Sequence, residues 1–176
     1  AQGFDQYFGI PYSNDMWPGN KRGNPVTNRG PYSPLPIIRQ NKAVAYVSDA
    51  ADQSLLCEVM TDEAVKFIRK QKNGPFFLYL PLTIPHANNE ATRMTGDGAE
   101  VPDYGIYQDR DWPDQAKGQA AMITRMDGDV GRILDHLREI GIAENTLVFF
   151  TSDNGPHDEA GHDLTLFDPA GPLRGT

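Results

Sequence analysis

The 176-residue chain has one cysteine, Cys57. A single cysteine closes no internal disulfide, so no cross-linked scaffold can substitute for a packed core, and cysteine usage leaves the redox compartment open. Long apolar runs are also missing. Nothing approaches the roughly 18 to 20 consecutive apolar residues that a membrane helix requires. No basic stretch followed by an apolar one opens the sequence, so no signal peptide is visible, and the first residue is Ala1 rather than Met. Positive charge is scarce: 16 Lys and Arg against 24 Asp and Glu give a net charge of −8. Such a surface argues against general nucleic-acid binding, which needs a basic face. An anionic substrate would have to meet local positive charge or a metal.

What is present reads as one folded unit. The length suits a single domain with a real core. Residues 11–36 are rich in Pro, Gly, Asn and Ser, and the recurring prolines exclude a long helix or a continuous central strand. They read as a long ordered loop anchored by Tyr12, Trp17 and Tyr32. A helix is predicted from Thr61 as N-cap, with Asp62 and Glu63 in its first turn and Asn73-Gly74-Pro75 as its stop. "FFLYLPL" (76–82) reads as a short strand buried on both faces. A second loop covers 87–113. A long helix over about 113–140 is expected from the three- and four-residue recurrence of Met122, Ile123, Met126, Val130, Ile133, Leu134 and Leu137, with Gly141 just past its end. "NTLVFFTS" (145–152) reads as a second buried strand. Helices alternating with strands predict an α/β fold with a largely parallel sheet flanked by helices.

In such sheets, ligands sit beyond the carboxyl ends of the strands. His86 follows the first predicted strand and Asp153-Asn154 the second, so both should lie at one sheet edge. Asp153 and Asn154 offer adjacent hard oxygens of the kind Ca²⁺ or Mg²⁺ prefers, and Gly155 lets the backbone turn away. The same residues also suit an ordinary Asx-Gly turn. Their spacing is not that of an EF-hand loop, because the glycine arrives at the third position. "HDEAGHD" (157–163) has no standard zinc spacing and reads as solvated loop. Cys57, within "LLCEVM", has an apolar and acidic setting that raises a thiol pKa, so it reads as a small apolar filler and not as a nucleophile.

Several stretches together resemble the sulfatase family, of the arylsulfatase A-like type within the alkaline-phosphatase-like superfamily. They are "GFDQYFGIPYSNDM" (3–16), "PFFLYLPLTIPHANNE" (75–90), "MITRMDGDVGRILDHLREIGIAENTLVFFTSDNGPH" (122–157) and "GPLRGT" (171–176). The resemblance implies that Asp153 and Asn154 bind the family's divalent cation, usually Ca²⁺ with Mg²⁺ as the alternative. It implies that His86 is catalytic and substrate-binding, hydrogen-bonding the sulfate or its leaving oxygen, and that Ser13 contacts substrate. It assigns nothing to His157 or His162. The implied activity is hydrolysis of aryl or carbohydrate sulfate esters. The implied substrate is a sulfate-ester small molecule or a sulfated carbohydrate, and the implied location is exported: periplasmic, extracellular or lysosomal.

The departures are specific. The family's nucleophile is a formylglycine made within a C/S-x-P-S-R motif, and no such motif occurs in the 176 residues. The paired acidic ligands of the family's first strand are also absent. Residues 1–176 therefore read as the central part of one catalytic domain, truncated at both ends and inactive alone. Two other readings share its features. One is a phosphodiesterase or phosphonate hydrolase of the same superfamily. The other is a non-catalytic module that binds sulfated glycans.

Overall fold

The computed structural model describes residues 3–16 and 32–173. Residues 17–31 of the loop predicted over 11–36, with Trp17 among them, and the last residues of "GPLRGT" lie outside the described residues. The ordered elements are strands β1 (Phe8–Gly9), β2 (Leu35–Arg39) and β3 (Lys42–Val47), and helices α1 (Ala50–Ser54), α2 (Leu56–Gln71), α3 (Asn89–Thr95), α4 (Asp114–Glu139) and α5 (Leu164–Phe167). The described residues thus combine helices with a small sheet.

The expected parallel sheet is not formed among the described residues. They contain a three-stranded antiparallel sheet in the order β1-β2-β3. The β2–β3 hairpin turns through Gln40 and Asn41, with Gln40 at φ +57°, as a tight two-residue turn demands. The Gln40 side chain accepts from Tyr7 N at 2.7 Å and donates to the Asp5 carbonyl at 3.0 Å, tying the N-terminal stretch to this turn. Pro36 is tolerated in the middle strand because β1 pairs only with Ile38 and Arg39, leaving β2 an open edge beside the proline. The prolines that suggested a loop through residue 36 therefore hid the start of a strand.

The helix expected at Thr61 begins earlier, at Leu56, and follows the one-turn helix α1. Asp49, not Thr61, caps that helical stretch, accepting from Asp52 N at 3.0 Å. Thr61 is fully buried inside α2. The predicted long helix matches α4 closely. Gly141 follows it at φ +75°, the left-handed conformation that glycine adopts without strain. Asp129 of α4 is buried, and Arg132 donates to it at 3.1 Å while also pairing with Asp62 of α2. Arg125 and Glu58 pair across the same helix contact.

Residues 76–82 and 145–152 are extended but join no strand ladder. Along the first segment the side chains alternate. Phe76, Leu78 and Leu80 face the protein, with the Phe76 ring edge-on to Phe67 of α2 at 5.7 Å, while Phe77 is 74% exposed. Leu80 packs on the core of Leu35, Ile37, Val47, Leu56 and Met60. In the second segment Leu147, Val148, Phe149 and Phe150 are all exposed. The expectation of burial on both faces is thus corrected. A continuous apolar run is buried on both faces only when neighbouring strands and covering helices are there to do it, and among the described residues they are not.

Candidate functional site

The two polar turns come together, although the sheet expected to align them does not form. The His86 and His157 rings are 5.6 Å apart, centre to centre, and tilted by 42°. The Asn89 side chain donates to Glu159 Oε2 at 2.7 Å, a second tie between the same segments. The turn after residues 76–82 and the turn after residues 145–152 are therefore adjacent through side chains.

Each partner is held by local structure. Asn88 caps α3, accepting from Ala91 N at 2.9 Å, and its Nδ2 donates to Glu100 Oε2 at 2.8 Å. Asn88 is 1% exposed, so this cap fixes the backbone immediately after His86. His86 Nδ1 lies 2.6 Å from the Ala87 carbonyl, which only accepts, so Nδ1 carries the proton and Nε2 is free to face a ligand. Ser13 is exposed and donates to Asp15 Oδ1 at 2.5 Å. Its neighbour Asn14 is buried and shares a cavity of about 10 Å³ with Gln53, His86, Asn88 and Glu100. That volume suits about one water. Buried Gln53 Oε1 and Glu100 Oε1 have no hydrogen-bond partner among the described residues. Burial pushes the Glu100 carboxyl up to about 7, opposed by the Asn88 hydrogen bond and reinforced by the charges of Asp97 and Asp15. Sequence reasoning missed Glu100. Nothing in the loop reading of 87–113 marks an acid as buried.

Asp153 and Asn154 are exposed, and Asn154 Nδ2 donates to the Gly155 carbonyl at 2.8 Å. Their oxygens are of the kind a hard divalent cation takes, but Ca²⁺ asks for six to eight. Among the described residues no cluster of three or more His, Cys, Asp or Glu side chains is arranged to hold a metal ion. The described residues therefore do not by themselves make a cation site.

Asp158, Glu159, Gly161 and Asp163 of the "HDEAGHD" segment are exposed, as expected of a solvated loop, but one of its histidines is not. His162 is 6% exposed and neither of its ring nitrogens has a hydrogen-bond partner among the described residues. Its ring lies 5.8 Å from that of His157. Burial, and then the neighbouring His157, pull the His162 pKa down. The Asn89 hydrogen bond, opposed by a little desolvation, holds the Glu159 carboxyl below its usual range. Cys57 is buried and pushed up to about 12 by burial and by Asp129, consistent with the filler role and against a nucleophilic one.

The described residues bring two polar turns together beside helices and a small antiparallel sheet, and the α/β class follows from the domain they belong to. The chain belongs to the sulfatase family: the Sulfatase family model matches residues 1–171. It is 31% identical over 161 residues to N-acetylgalactosamine-6-sulfatase of Sus scrofa, covering 87% of this chain and 26% of that protein. It is 29% identical over 160 residues to the Homo sapiens protein of the same name, with the same coverage. To arylsulfatase G of Rattus norvegicus it is 29% identical over 177 residues, covering 88% of this chain and 30% of that protein. The chain thus spans about a quarter of the length of the N-acetylgalactosamine-6-sulfatases it matches. Among the described residues, no helix is long and apolar enough to cross a membrane.

Proposed function

We propose that the full-length protein is a sulfuric ester hydrolase acting on an aryl or carbohydrate sulfate, and that this chain forms one wall of its active site. The observation that carries this reading is the contact of His86 with His157, which brings the histidine turn against the Asp153-Asn154 turn. A hydrolase of a charged ester needs both: a donor for the leaving oxygen and a concentration of charge-neutralising groups around the anion.

His86 is suited to the first task. With Nδ1 fixed on the Ala87 carbonyl, a protonated ring presents Nε2–H to the ester oxygen and can give up that proton as the alcohol leaves. Ser13, whose neighbour Asn14 lines the His86 cavity, contacts the same substrate. Asp153 and Asn154 contribute two oxygens to a divalent cation, Ca²⁺ or alternatively Mg²⁺, whose remaining ligands come from elsewhere in the full-length protein. When bound, such a cation neutralises sulfate oxygens. The nucleophile, a formylglycine by family membership, is also supplied from outside these 176 residues. In the same full-length context, residues 76–82 and 145–152 become strands of a larger, parallel sheet that covers their exposed apolar side chains. An exported or lysosomal location fits the family.

The test is hydrolysis by the full-length protein of 4-nitrophenyl sulfate and of N-acetylgalactosamine 6-sulfate, with phosphate mono- and diesters as comparison. Sulfate should be released, and Asp153→Ala should lower kcat/KM by about 10²-fold or more, corresponding to the several kcal/mol a catalytic cation provides. Cleavage of phosphate esters alone would overturn the reading in favour of phosphorus chemistry. Binding of sulfated glycans without turnover would overturn it in favour of a binding module. The 176-residue chain by itself should release no sulfate.

A further inference from the structure

The "HDEAGHD" segment has no part in the function described so far, yet its first histidine stands beside His86. Three imidazoles form a row: His86 at the open end, His157 in the middle, and His162 buried at the far end. The segment is also stapled in place. Asn89, three residues after His86, holds Glu159, two residues after His157.

The hydrogen bonds fix which nitrogen each ring presents. His86 Nδ1 donates to the Ala87 carbonyl. His157 does the opposite: its Nδ1 accepts from the Glu159 backbone N–H at 3.1 Å. A neutral imidazole whose Nδ1 accepts carries its proton on Nε2. His157 Nε2 has no partner among the described residues, and its ring is partly exposed. So His157 offers a ready N–H donor, whereas His86 offers Nε2 as a lone pair when neutral and as a donor only when protonated. All the oxygens of a sulfate ester are acceptors. The 5.6 Å between ring centres is within the span of one tetrahedral anion and two N–H···O bonds of about 2.9 Å.

We propose that His157 is a second substrate contact, its Nε2–H donating to an oxygen of the sulfate ester held against His86, and that the Asn89–Glu159 hydrogen bond positions it. This rests on the sulfuric ester hydrolase reading. His162 serves as the buried floor of the stack, on which the His157 ring rests.

Steady-state kinetics of the full-length protein on 4-nitrophenyl sulfate, with inorganic sulfate as competitive inhibitor, tests the proposal through His157→Ala and His157→Gln. The Gln amide retains an N–H donor. His157→Ala should lower kcat/KM by about 10- to 100-fold and weaken inhibition by sulfate, the loss of one hydrogen bond to a charged group. His157→Gln should recover a substantial part of both. Thermal unfolding of each variant should match the unsubstituted protein. A wild-type protein that hydrolyses sulfate esters while His157→Ala stays within twofold overturns the His157 proposal and leaves the hydrolase reading standing. Equal losses in Ala and Gln, accompanied by a lower unfolding temperature, assign His157 a structural role and also overturn it. A wild-type protein that releases no sulfate from any ester overturns both.

Discussion

Glu100 provides the most direct check on the packing behind His86. Its carboxyl is enclosed next to Asn88, Gln53 and Asn14, with Oε2 accepting from Asn88 and Oε1 without a hydrogen-bond partner among the described residues. Burial raises its pKa from 4.5 to about 7. At about 1.4 kcal/mol for each tenfold change in proton affinity, the gap is worth about 3 kcal/mol. The direction follows from proton counting. Below pH 4.5 both folded and unfolded chains carry the proton, and Glu100 costs nothing. Between 4.5 and about 7 only the unfolded chain ionises, so stability falls as pH rises. Above about 7 the folded chain must hold a buried carboxylate, and the loss is complete. Glu100→Gln keeps the shape and an oxygen for Asn88 while removing the charge. Urea unfolding at pH 4.5 should therefore give nearly equal stabilities for the two proteins. At pH 8 the variant should be more stable, by up to about 3 kcal/mol. Using the difference between the two proteins cancels every other titrating group. A difference that does not change with pH, or a variant less stable at pH 8, would refute the buried-carboxyl account.

Three further outcomes follow from the same contacts. Gly118 of α4 lies so close to the 97–100 segment that an added Cβ would sit 2.5 Å from Ala99 Cβ and 3.2 Å from the Ala99 carbonyl. Gly118→Ala should therefore lower stability by about 1–2 kcal/mol despite alanine's better helix propensity, and a raised unfolding midpoint would show that the helix is not so close. Asn88→Ala removes the α3 cap and the only hydrogen bond donated to Glu100 among the described residues, so unfolding free energy should drop by about 2–4 kcal/mol, measured by denaturant titration. His162 must stay neutral to remain buried, so the protein loses stability as pH falls from 6.5 through its lowered pKa. His162→Phe should shrink that acid-side loss, and melting curves at pH 5 and pH 8 that shift in parallel would contradict it.

Much of this molecule is legible residue by residue. The α4 periodicity and the glycine after it predicted Asp114–Glu139 to within a residue or two, because a 3.6-residue repeat over seven turns has no competing interpretation. Cys57 was recognisable as filler because its neighbours are apolar or acidic. The β2–β3 hairpin was less legible. Pro34 and Pro36 read as loop, and only the short reach of β1 shows why a proline is tolerated there. Thr61 has the chemistry of a cap, but the capping position had already gone to Asp49, twelve residues upstream. A charge such as that of Asp129 carries no local sign of burial, yet Arg132 lets it sit buried in α4.

The sequence by itself determined the family and nominated His86, Ser13, Asp153 and Asn154, since motif chemistry and order along the chain are local properties. It also determined that no formylglycine motif lies within these 176 residues. Only the tertiary structure decided that the Glu100 carboxyl is largely enclosed, that His162 is buried, and that His157 meets His86. Those are facts of burial and proximity between segments about 70 residues apart in the chain. Whether a polar side chain is solvated or enclosed depends on what packs over it, and no local pattern records that.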